Sequence, residues 1–443
     1  MDQLSALTFP TEEFDFERAY QVASGECGDG GESRLLKVFF IARELGGKGT
    51  WHMMNEDMVR ALSKLRIDLH VITEGHLKAC LPEVKIHRVS RTYVPGSLIH
   101  ALLFKFKSVV CFLREGGGDI IDAPHHLADA LPFVLIRLLT GKPRIVLRSY
   151  SQLDGETIQL FLGRAYVSSF DYILARVRFG IIWALANFTA YFADVLTVES
   201  HFVYRMTRRL SHPAIVVNQL GITMDRFKPI RNESVIGALG LLKAKYILTV
   251  AGLEPRKGVQ CLFDALPSIL GKNRELKAVI VGSERLHGFK TQLVRRVAPA
   301  LRERVILIDH LDLSELAELY SNCMVYVSPS LYESYGYTVV EALACGAPVV
   351  ASATGVSVEI GLSPPLGEVV KADSSYQIAR AVNGTVWTSS PDAIMKRRAA
   401  VEKSFSIDEW VKRTVGVYQL AIRKSPQSND PHSAVASGGM NAS

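Results

Sequence analysis

The sequence lacks any long uninterrupted apolar run. A helix that spans a bilayer needs about 18 or more consecutive apolar residues, and the nearest candidate, FGIIWALA at residues 179–186, is far shorter. The first residues also show no basic segment followed by an apolar one, the pattern of a secretory signal. We therefore expect a cytoplasmic protein without a membrane-spanning helix.

Closely spaced cysteines are missing as well. The six cysteines are far apart, and no C-x-x-C pair occurs among Cys27, Cys80, Cys111, Cys261, Cys323 and Cys345. This spacing favours buried thiols in a reducing compartment over a disulfide framework or a zinc site. An Asp-x-Asp pair is absent too, so we expect neither a metal nor a cofactor.

A nicotinamide-binding motif is the third absence. No G-x-G-x-x-G follows the first predicted strand of either half of the chain, which argues against a dehydrogenase.

What is present is ordinary globular composition, with 48% hydrophobic and 21% charged residues over 443 positions. That length exceeds one ordinary core and suits two domains.

Charge is unevenly distributed along the chain. Residues 1–33 contain eight acidic side chains and one basic side chain, whereas residues 34–114 contain fourteen basic and six acidic ones. The basic part could meet an anionic membrane surface or a phosphate-bearing ligand. The alternative, which we prefer, is a solvated face with scattered charge.

Short apolar runs alternate with helical patterns along most of the chain. LKVFFIA, a Gly-rich turn, a helical stretch and IDLHVIT form a β-turn-α-β unit near the N-terminus, and KYILTVAGL begins a second series. Continuous apolar runs of this length are typical of buried parallel strands. We expect two Rossmann-like, doubly wound α/β domains that face a ligand cleft.

Composition also predicts the domain boundaries. We place an acidic N-terminal extension at 1–33, an N-terminal Rossmann-like domain at 34–228 and a C-terminal Rossmann-like domain at 229–405. A helix that packs back follows at 406–424, and a disordered tail at 425–443. The polar, Pro-containing stretch around Pro229 marks the linker between the two domains.

The most informative stretch is SPSLYESYGYTVVEALACGAPVVAS, residues 328–352. Glu333 lies in a loop after a predicted strand, Gly336 follows, and Glu341 lies early in a helix. Backbone N–H groups near Tyr337 and Thr338 would form an anion site at the helix start, and Gly336 would let a diphosphate approach closely. Carboxylates at these places could accept hydrogen bonds from sugar and ribose hydroxyls.

This stretch resembles the E-x7-E motif of family 4 glycosyltransferases, which are retaining enzymes with the GT-B fold. The resemblance continues through Ala342, Gly346, Pro348 and Val349. It implies that Glu333 holds the transferred sugar and is the catalytic residue, and that Glu341 binds the ribose.

Three further stretches are similar to the same family. The run LEPRKG at 253–258 resembles an L-x-x-x-K-G loop, so Arg256 and Lys257 are expected to bind the donor phosphates. GITMDRFKP at 221–229 resembles the run that leads into the C-terminal domain. Gly46 and Gly47 resemble a glycine loop that lies against donor phosphate and acceptor.

The chain departs from the family pattern in three places, one of which is Thr223, where the run that leads into the C-terminal domain commonly has an Asp. Gly252 stands where an Arg is usual before the L-x-x-x-K-G leucine, and Arg256 is the cation expected to supply that charge. The strand PRIVL is followed by Arg148, Ser149 and Tyr150 instead of a His. His125 and His126 follow another strand and, with Arg148, are candidates for the cleft, although the two histidines lack a third metal ligand.

The resemblance implies transfer of a hexose from a nucleotide-diphosphate sugar to a glycan, lipid or small-molecule acceptor, without a metal. The expected partners are this donor and the acceptor, and not nucleic acid. Two alternatives remain: another GT-B enzyme such as an epimerase or phosphorylase, and a catalytically weak sugar-nucleotide-binding or scaffold protein. No residue pattern identifies the sugar, the base or the acceptor.

One segment could contact a membrane. SLIHALLFKFKSVVCFLR at 97–114 is apolar with three cations, which would suit peripheral binding to the anionic inner face of a membrane. The alternative, which we prefer, is a core-facing helix of the N-terminal domain.

Overall fold

The computed structural model describes most of the chain. It covers residues 20–21, 23–24, 35–43, 45, 50–75, 81–90, 98–124, 127–149, 169–207, 214–242, 245–385 and 387–423. The chain forms two compact units. Unit 1 comprises Met1–Arg148, Phe188–Leu196 and Lys412–Ser443, and unit 2 comprises Ser149–Asn187 and Thr197–Val411. The tail 425–443 and nearly all of the extension 1–33 lie outside the described residues, and the domain boundaries given above stay predictions.

The first sheet has seven strands. They are β1 (Leu36–Ile41), β2 (Ile67–Thr73), β3 (Val84–Arg88), β4 (Ile120–Ala123), β5 (Arg144–Ser149), β6 (Val195–Val198) and β7 (Ile215–Val217). Their order is β3-β2-β1-β4-β5-β6-β7. Strands β1 to β5 pair in parallel, with Phe39 beside His70 and Val38 beside Ile120. This order confirms the doubly wound sheet predicted from the apolar runs.

The described part of the chain contains five helices between β1 and β7. They are α1 (Thr50–Leu62), α2 (Leu98–Arg114), α3 (Leu131–Thr140), α4 (Ser169–Tyr191) and α5 (His201–Thr207). Helix α2 packs on the core through Phe104, Ser108 and Phe112, but Ile99 and Phe106 on its other side are 69% and 66% exposed. The prediction that residues 97–114 form a core-facing helix therefore applies to only one face of α2.

The second sheet has six parallel strands. They are β8 (Tyr246–Val250), β9 (Lys277–Val281), β10 (Val305–Ile308), β11 (Val325–Ser328), β12 (Val349–Ser352) and β13 (Gly367–Val370). Their order is β10-β9-β8-β11-β12-β13. Most of these strands are continuous buried Val, Ile and Ala runs, because helices cover both faces of a parallel sheet.

Eight helices follow β7 in the described residues. They are α6 (Ser234–Ala238), α7 (Val259–Lys272), α8 (Phe289–Arg295), α9 (Leu313–Asn322), α10 (Tyr337–Ala344), α11 (Ser375–Gly384), α12 (Pro391–Phe405) and α13 (Ile407–Arg423). Helix α9 begins at a capping box in which Asp312 and Glu315 satisfy each other's backbone N–H groups. None of the described helices combines the length and apolarity needed to cross a membrane.

The order of the second sheet defines where a ligand can bind. The chain winds from β8 outward through β9 and β10, then returns to place β11 on the other side of β8. Loops after β8 and β11 therefore leave neighbouring strands in opposite directions. In open α/β sheets, ligands bind in the crevice that forms at this switch point.

Candidate functional site

The loops that follow β8 and β11 bring a cation and a carboxylate into contact. Lys257 donates to Glu333, with 2.6 Å between Nζ and Oε1, and the Ser330 hydroxyl donates to the same oxygen at 2.8 Å. The Lys257 side chain is 22% exposed and that of Glu333 is 11% exposed. Arg256 lies beside them and pairs with Glu254 at 2.7 Å. The predicted donor residues of the two loops thus form one cluster.

Electrostatics keep Glu333 ionised. Burial alone would raise the pKa of its carboxyl group, but the charges of Lys257 and Arg256 and the hydrogen bonds from Lys257 and Ser330 hold the pKa below its ordinary value. An anionic Glu333 is a hydrogen-bond acceptor only. It is therefore suited to receive hydroxyl donors of a sugar.

A glycine lets the two loops approach each other. Gly258 adopts φ +62°, and a Cβ there would lie 1.9 Å from the Pro329 carbonyl oxygen, so only glycine fits. The Leu331 N–H donates to the Arg256 carbonyl at 2.9 Å. The backbone of the Lys257 loop is therefore tied directly to the loop that carries Glu333.

Helix α10 begins at this cluster. Gly336 precedes it with φ +92° and ψ +54°, and no side chain caps the helix there. Tyr337 donates to the Gly221 carbonyl at 2.7 Å, and Tyr326 donates to the Thr338 hydroxyl at 2.6 Å. These side-chain bonds fix the first turn of α10, whose N-terminus favours negative charge.

Glu341 is buried one turn further along α10. It is 5% exposed and accepts a hydrogen bond from the Tyr320 hydroxyl at 2.9 Å. Burial raises the pKa of the Glu341 carboxyl to about 7, with Tyr320 and Arg226 opposing the shift only in part. Near neutral pH, Glu333 is therefore ionised because it faces cations, whereas Glu341 is partly protonated because it is buried against a tyrosine.

Arg285 was not identified from the sequence. Its backbone N–H donates to the Leu253 carbonyl at 3.2 Å. A Cβ built on Gly252 would lie 3.1 Å from Arg285 Cγ and 3.5 Å from its Nε. An arginine from the β9 loop thus occupies the space beside the position where the resemblance predicts one. Only the adjacency of β8 and β9 in the sheet could have indicated that Arg285 lies beside Gly252.

Arg148 lies in a different environment from the predicted cleft. It is 2% exposed, and its Nε donates to Asp122 Oδ1 at 2.8 Å, while a second guanidinium nitrogen donates to the other oxygen. Tyr418 also donates to Asp122, at 2.5 Å. The placement of Arg148 in a cleft is wrong, because its guanidinium forms a buried ion pair.

Four predicted residues lie outside the described part of the chain. Gly46 and Gly47 follow β1, and His125 and His126 follow β4. Strands β1 and β4 are neighbours at the switch point of the first sheet. Their assignment to a phosphate and acceptor loop and to the cleft stays a prediction.

The sequence was then compared with known proteins. The profile described as glycosyl transferases group 1 matches residues 244–385, which contain β8 to β13 and every described member of the cluster. Residues 244–385, about a third of the chain, are therefore similar to the group 1 glycosyl transferases. This finding confirms the family predicted from the motifs.

Two known glycosyltransferases illustrate the similarity. The uncharacterized glycosyltransferase MJ1607 of Methanocaldococcus jannaschii is 31% identical over 40% of this chain and 45% of its own length. The lipopolysaccharide core biosynthesis mannosyltransferase LpsB of Rhizobium meliloti is 27% identical over 67% of this chain and 78% of its own. The chain therefore spans less than half of the first relative.

Solved structures show that the chain has the GT-B fold. Anabaena Alr3699/HepE, in complex with UDP and glucose, superimposes with a TM-score of 0.65 at 18% identity. The superposition covers 87% of this chain and 99% of the Anabaena chain. The two parallel sheets and this likeness confirm the predicted architecture.

Proposed function

We propose that the protein is a retaining glycosyltransferase that moves a hexose from a nucleotide-diphosphate sugar to an acceptor. The contact between Lys257 and Glu333 carries this proposal. It supports the proposal because a buried carboxylate that could accept sugar hydroxyls lies next to a cation that could bind phosphate, at the switch point of the second sheet. The match of residues 244–385 to the group 1 family model supports the reaction class.

The donor diphosphate binds to the cations at this switch point. Lys257 exchanges its bond to Glu333 for one to a phosphate oxygen, and Arg256 and Arg285 supply further positive charge. The N-terminus of α10, at Tyr337 and Thr338, receives the remaining phosphate oxygens. Freed from Lys257, the Glu333 carboxylate accepts hydrogen bonds from the sugar hydroxyls.

Glu341 binds the ribose. One of its oxygens already accepts the Tyr320 hydroxyl, and the carboxyl group has a second oxygen for a ribose hydroxyl. Because the pKa of Glu341 is raised to about 7, the group can donate or accept a hydrogen bond near neutrality.

The transfer retains the anomeric configuration. The bond from the sugar C1 to the diphosphate oxygen breaks, and the bond from C1 to the acceptor oxygen forms on the same face. The acceptor proton passes to the departing phosphate oxygen, so no protein base is required. Lys257 and Arg256 stabilise the negative charge that develops on the diphosphate.

Two donor classes are the first to test. The Rhizobium relative is named a mannosyltransferase, and the Anabaena structure holds UDP and glucose. GDP-mannose and UDP-glucose therefore head a panel for isothermal titration with the full chain, followed by detection of released nucleoside diphosphate. Binding with turnover of one donor supports the proposal. Binding without turnover would instead favour a catalytically weak sugar-nucleotide-binding protein, and failure of a folded sample to bind any nucleotide sugar would favour a scaffold protein.

We also propose that α2 contacts an anionic membrane. Its outward side carries apolar side chains that are 57–69% exposed: Ile99, Leu102, Phe106 and Leu113. Lys107 and Arg114 are exposed on the same helix. An apolar face flanked by cations suits the boundary between headgroups and acyl chains.

Vesicle sedimentation tests this contact. The full chain should sediment with phosphatidylglycerol vesicles and much less with phosphatidylcholine vesicles. A Phe106→Ser/Leu113→Ser variant should lose this binding, whereas Leu242→Ser, an exposed leucine of unit 2, should not. Equal sedimentation of the two variants would exclude α2 as the contact.

A further inference from the structure

Two histidines and a glutamate meet at the β2–β3 edge of the first sheet. His70 and His87 lie on the neighbouring strands β2 and β3, and Glu115 follows the last residue of α2. His70 Nδ1 lies 2.9 Å from His87 Nε2 and 3.8 Å from Glu115 Oε2. One ligand atom from each of the three residues lies within 4.8 Å of the others. None of these residues belongs to the proposed donor site.

The surrounding side chains orient the two imidazoles. The Phe39 ring stacks on His70 with 4.5 Å between ring centroids, and the His70 and His87 rings are nearly parallel at 5.1 Å. Asp68 Oδ1 lies 3.3 Å from His70 Nε2. A carboxylate behind the far nitrogen of a histidine holds the ring in place and keeps the near nitrogen available as a ligand.

The protonation of the histidines suits a metal. Burial lowers the pKa of both imidazoles, and the neighbouring Lys37 and Lys85 lower them further, against the opposing charges of Asp68 and Glu115. Neutral imidazole is the form that binds metals. The two lysines are already engaged, Lys85 with Asp68 at 2.9 Å and Lys37 with the Glu115 carbonyl.

A cleft of 580 Å³ gives access to the cluster. Its lining includes His87, Glu115, Cys111 and Lys107. The His70 side chain is fully buried, whereas those of His87 and Glu115 are 19% and 35% exposed. An ion held by the three residues would therefore face the cleft with its remaining coordination position.

We propose that His70, His87 and Glu115 bind a divalent transition metal, Zn²⁺ in the first place. Two imidazoles and one carboxylate are a ligand set that this ion favours, with an open fourth position for water or a small ligand. Binding connects β2, β3 and the end of α2. The ion therefore stabilises unit 1 as well as offering a coordination site at the cleft.

Metal titration of the full chain tests the site. After treatment with a chelator, the protein should bind one Zn²⁺ by competition with a chromophoric chelator, and Co²⁺ should give the visible absorption of a four-coordinate site. Loss of a residue that only holds a metal ligand in place weakens metal affinity by roughly 10- to 100-fold. His87→Gln and Glu115→Gln, which each remove a ligand, should weaken Zn²⁺ affinity by more than this. Asp68→Asn, which changes the carboxylate behind His70, should weaken Zn²⁺ affinity by an amount within that roughly 10- to 100-fold range.

His310→Gln is the matched control, because this histidine is 68% exposed and lies in unit 2. It should leave metal affinity unchanged. His87 and Glu115 are partly exposed, so their variants should fold, which thermal unfolding without metal verifies. The proposal would be overturned if His87→Gln and Glu115→Gln bound Zn²⁺ as tightly as the control. It would also be overturned if the folded wild type bound no Zn²⁺.

Discussion

Lys257 and Glu333 are 76 residues apart in the chain, yet 2.6 Å separates the ammonium nitrogen from a carboxylate oxygen. The two side chains neutralise each other in the absence of a ligand. In the proposed function, a donor that carries both a diphosphate and a sugar would satisfy the two side chains separately: its phosphates would bind Lys257 and its sugar hydroxyls would bind Glu333.

The first prediction concerns Glu333→Ala. Sugar transfer should fall by about 100-fold or more, the scale of losing one contact made in the transition state. Affinity for the nucleoside diphosphate alone should stay equal or increase, because Lys257 loses a competing anion. Turnover assays and titration calorimetry measure the two effects. Glu303→Gln, an exposed glutamate, is the control, and near-normal turnover of Glu333→Ala would remove this residue from the site.

Lys257→Ala should weaken binding of the nucleoside diphosphate. A hydrogen bond to a charged group contributes about 1.5–3 kcal/mol, or roughly 10- to 150-fold in affinity. Calorimetry with the nucleotide identified in the donor panel measures the change. Lys290→Ala is a suitable control, since Lys290 pairs with the exposed Asp309 in unit 2. Unchanged affinity in Lys257→Ala would contradict the phosphate assignment.

Arg285→Ala tests the residue beside Gly252. We expect a smaller loss of nucleotide affinity, about fivefold, since an exposed charge contributes up to about 1 kcal/mol. The loss should shrink as salt is added, because screening weakens exposed charges most. Arg295→Ala, exposed on α8, provides the comparison. If both arginine variants bind alike, Arg285 does not replace the missing arginine.

The pH dependence of stability should report on Glu341. Its pKa is raised from 4.5 to about 7 in the folded protein, so the native state keeps a proton that the unfolded chain releases. Its contribution to the free energy of unfolding is fully present below pH 4.5 and is lost as the pH rises through about 7. The size of this loss is about 3 kcal/mol.

Urea unfolding at about pH 5 and about pH 8 measures this effect. Glu341→Gln cannot ionise and can still accept the Tyr320 hydroxyl, so its stability should fall less than that of the wild type between the two pH values. Glu303→Gln should follow the wild type. Parallel pH profiles for wild type and Glu341→Gln would show that Glu341 titrates normally.

The sequence predicted the strands that are mostly apolar but missed β3 and β13, which are edge strands of the first and second sheets. Val84–Arg88 reads VKIHR, with charged residues between apolar ones, because β3 lies at the edge of the sheet and only β2 pairs with it. A continuous apolar run identifies a strand that is covered on both faces. An edge strand with mixed side chains can be identified only from the strand that pairs with it.

The sequence by itself determined the two α/β series, the glycine at position 258 and the placement of Lys257 and Glu333 after separate strands. These features are local, since they depend on apolar runs and on residue types at turns. Only the tertiary structure decided which loops meet. It buried Arg148 against Asp122, placed Arg285 beside Gly252, and joined His70 and His87 to Glu115. Such contacts follow from strand order, which brings together residues distant in the chain and which no local pattern encodes.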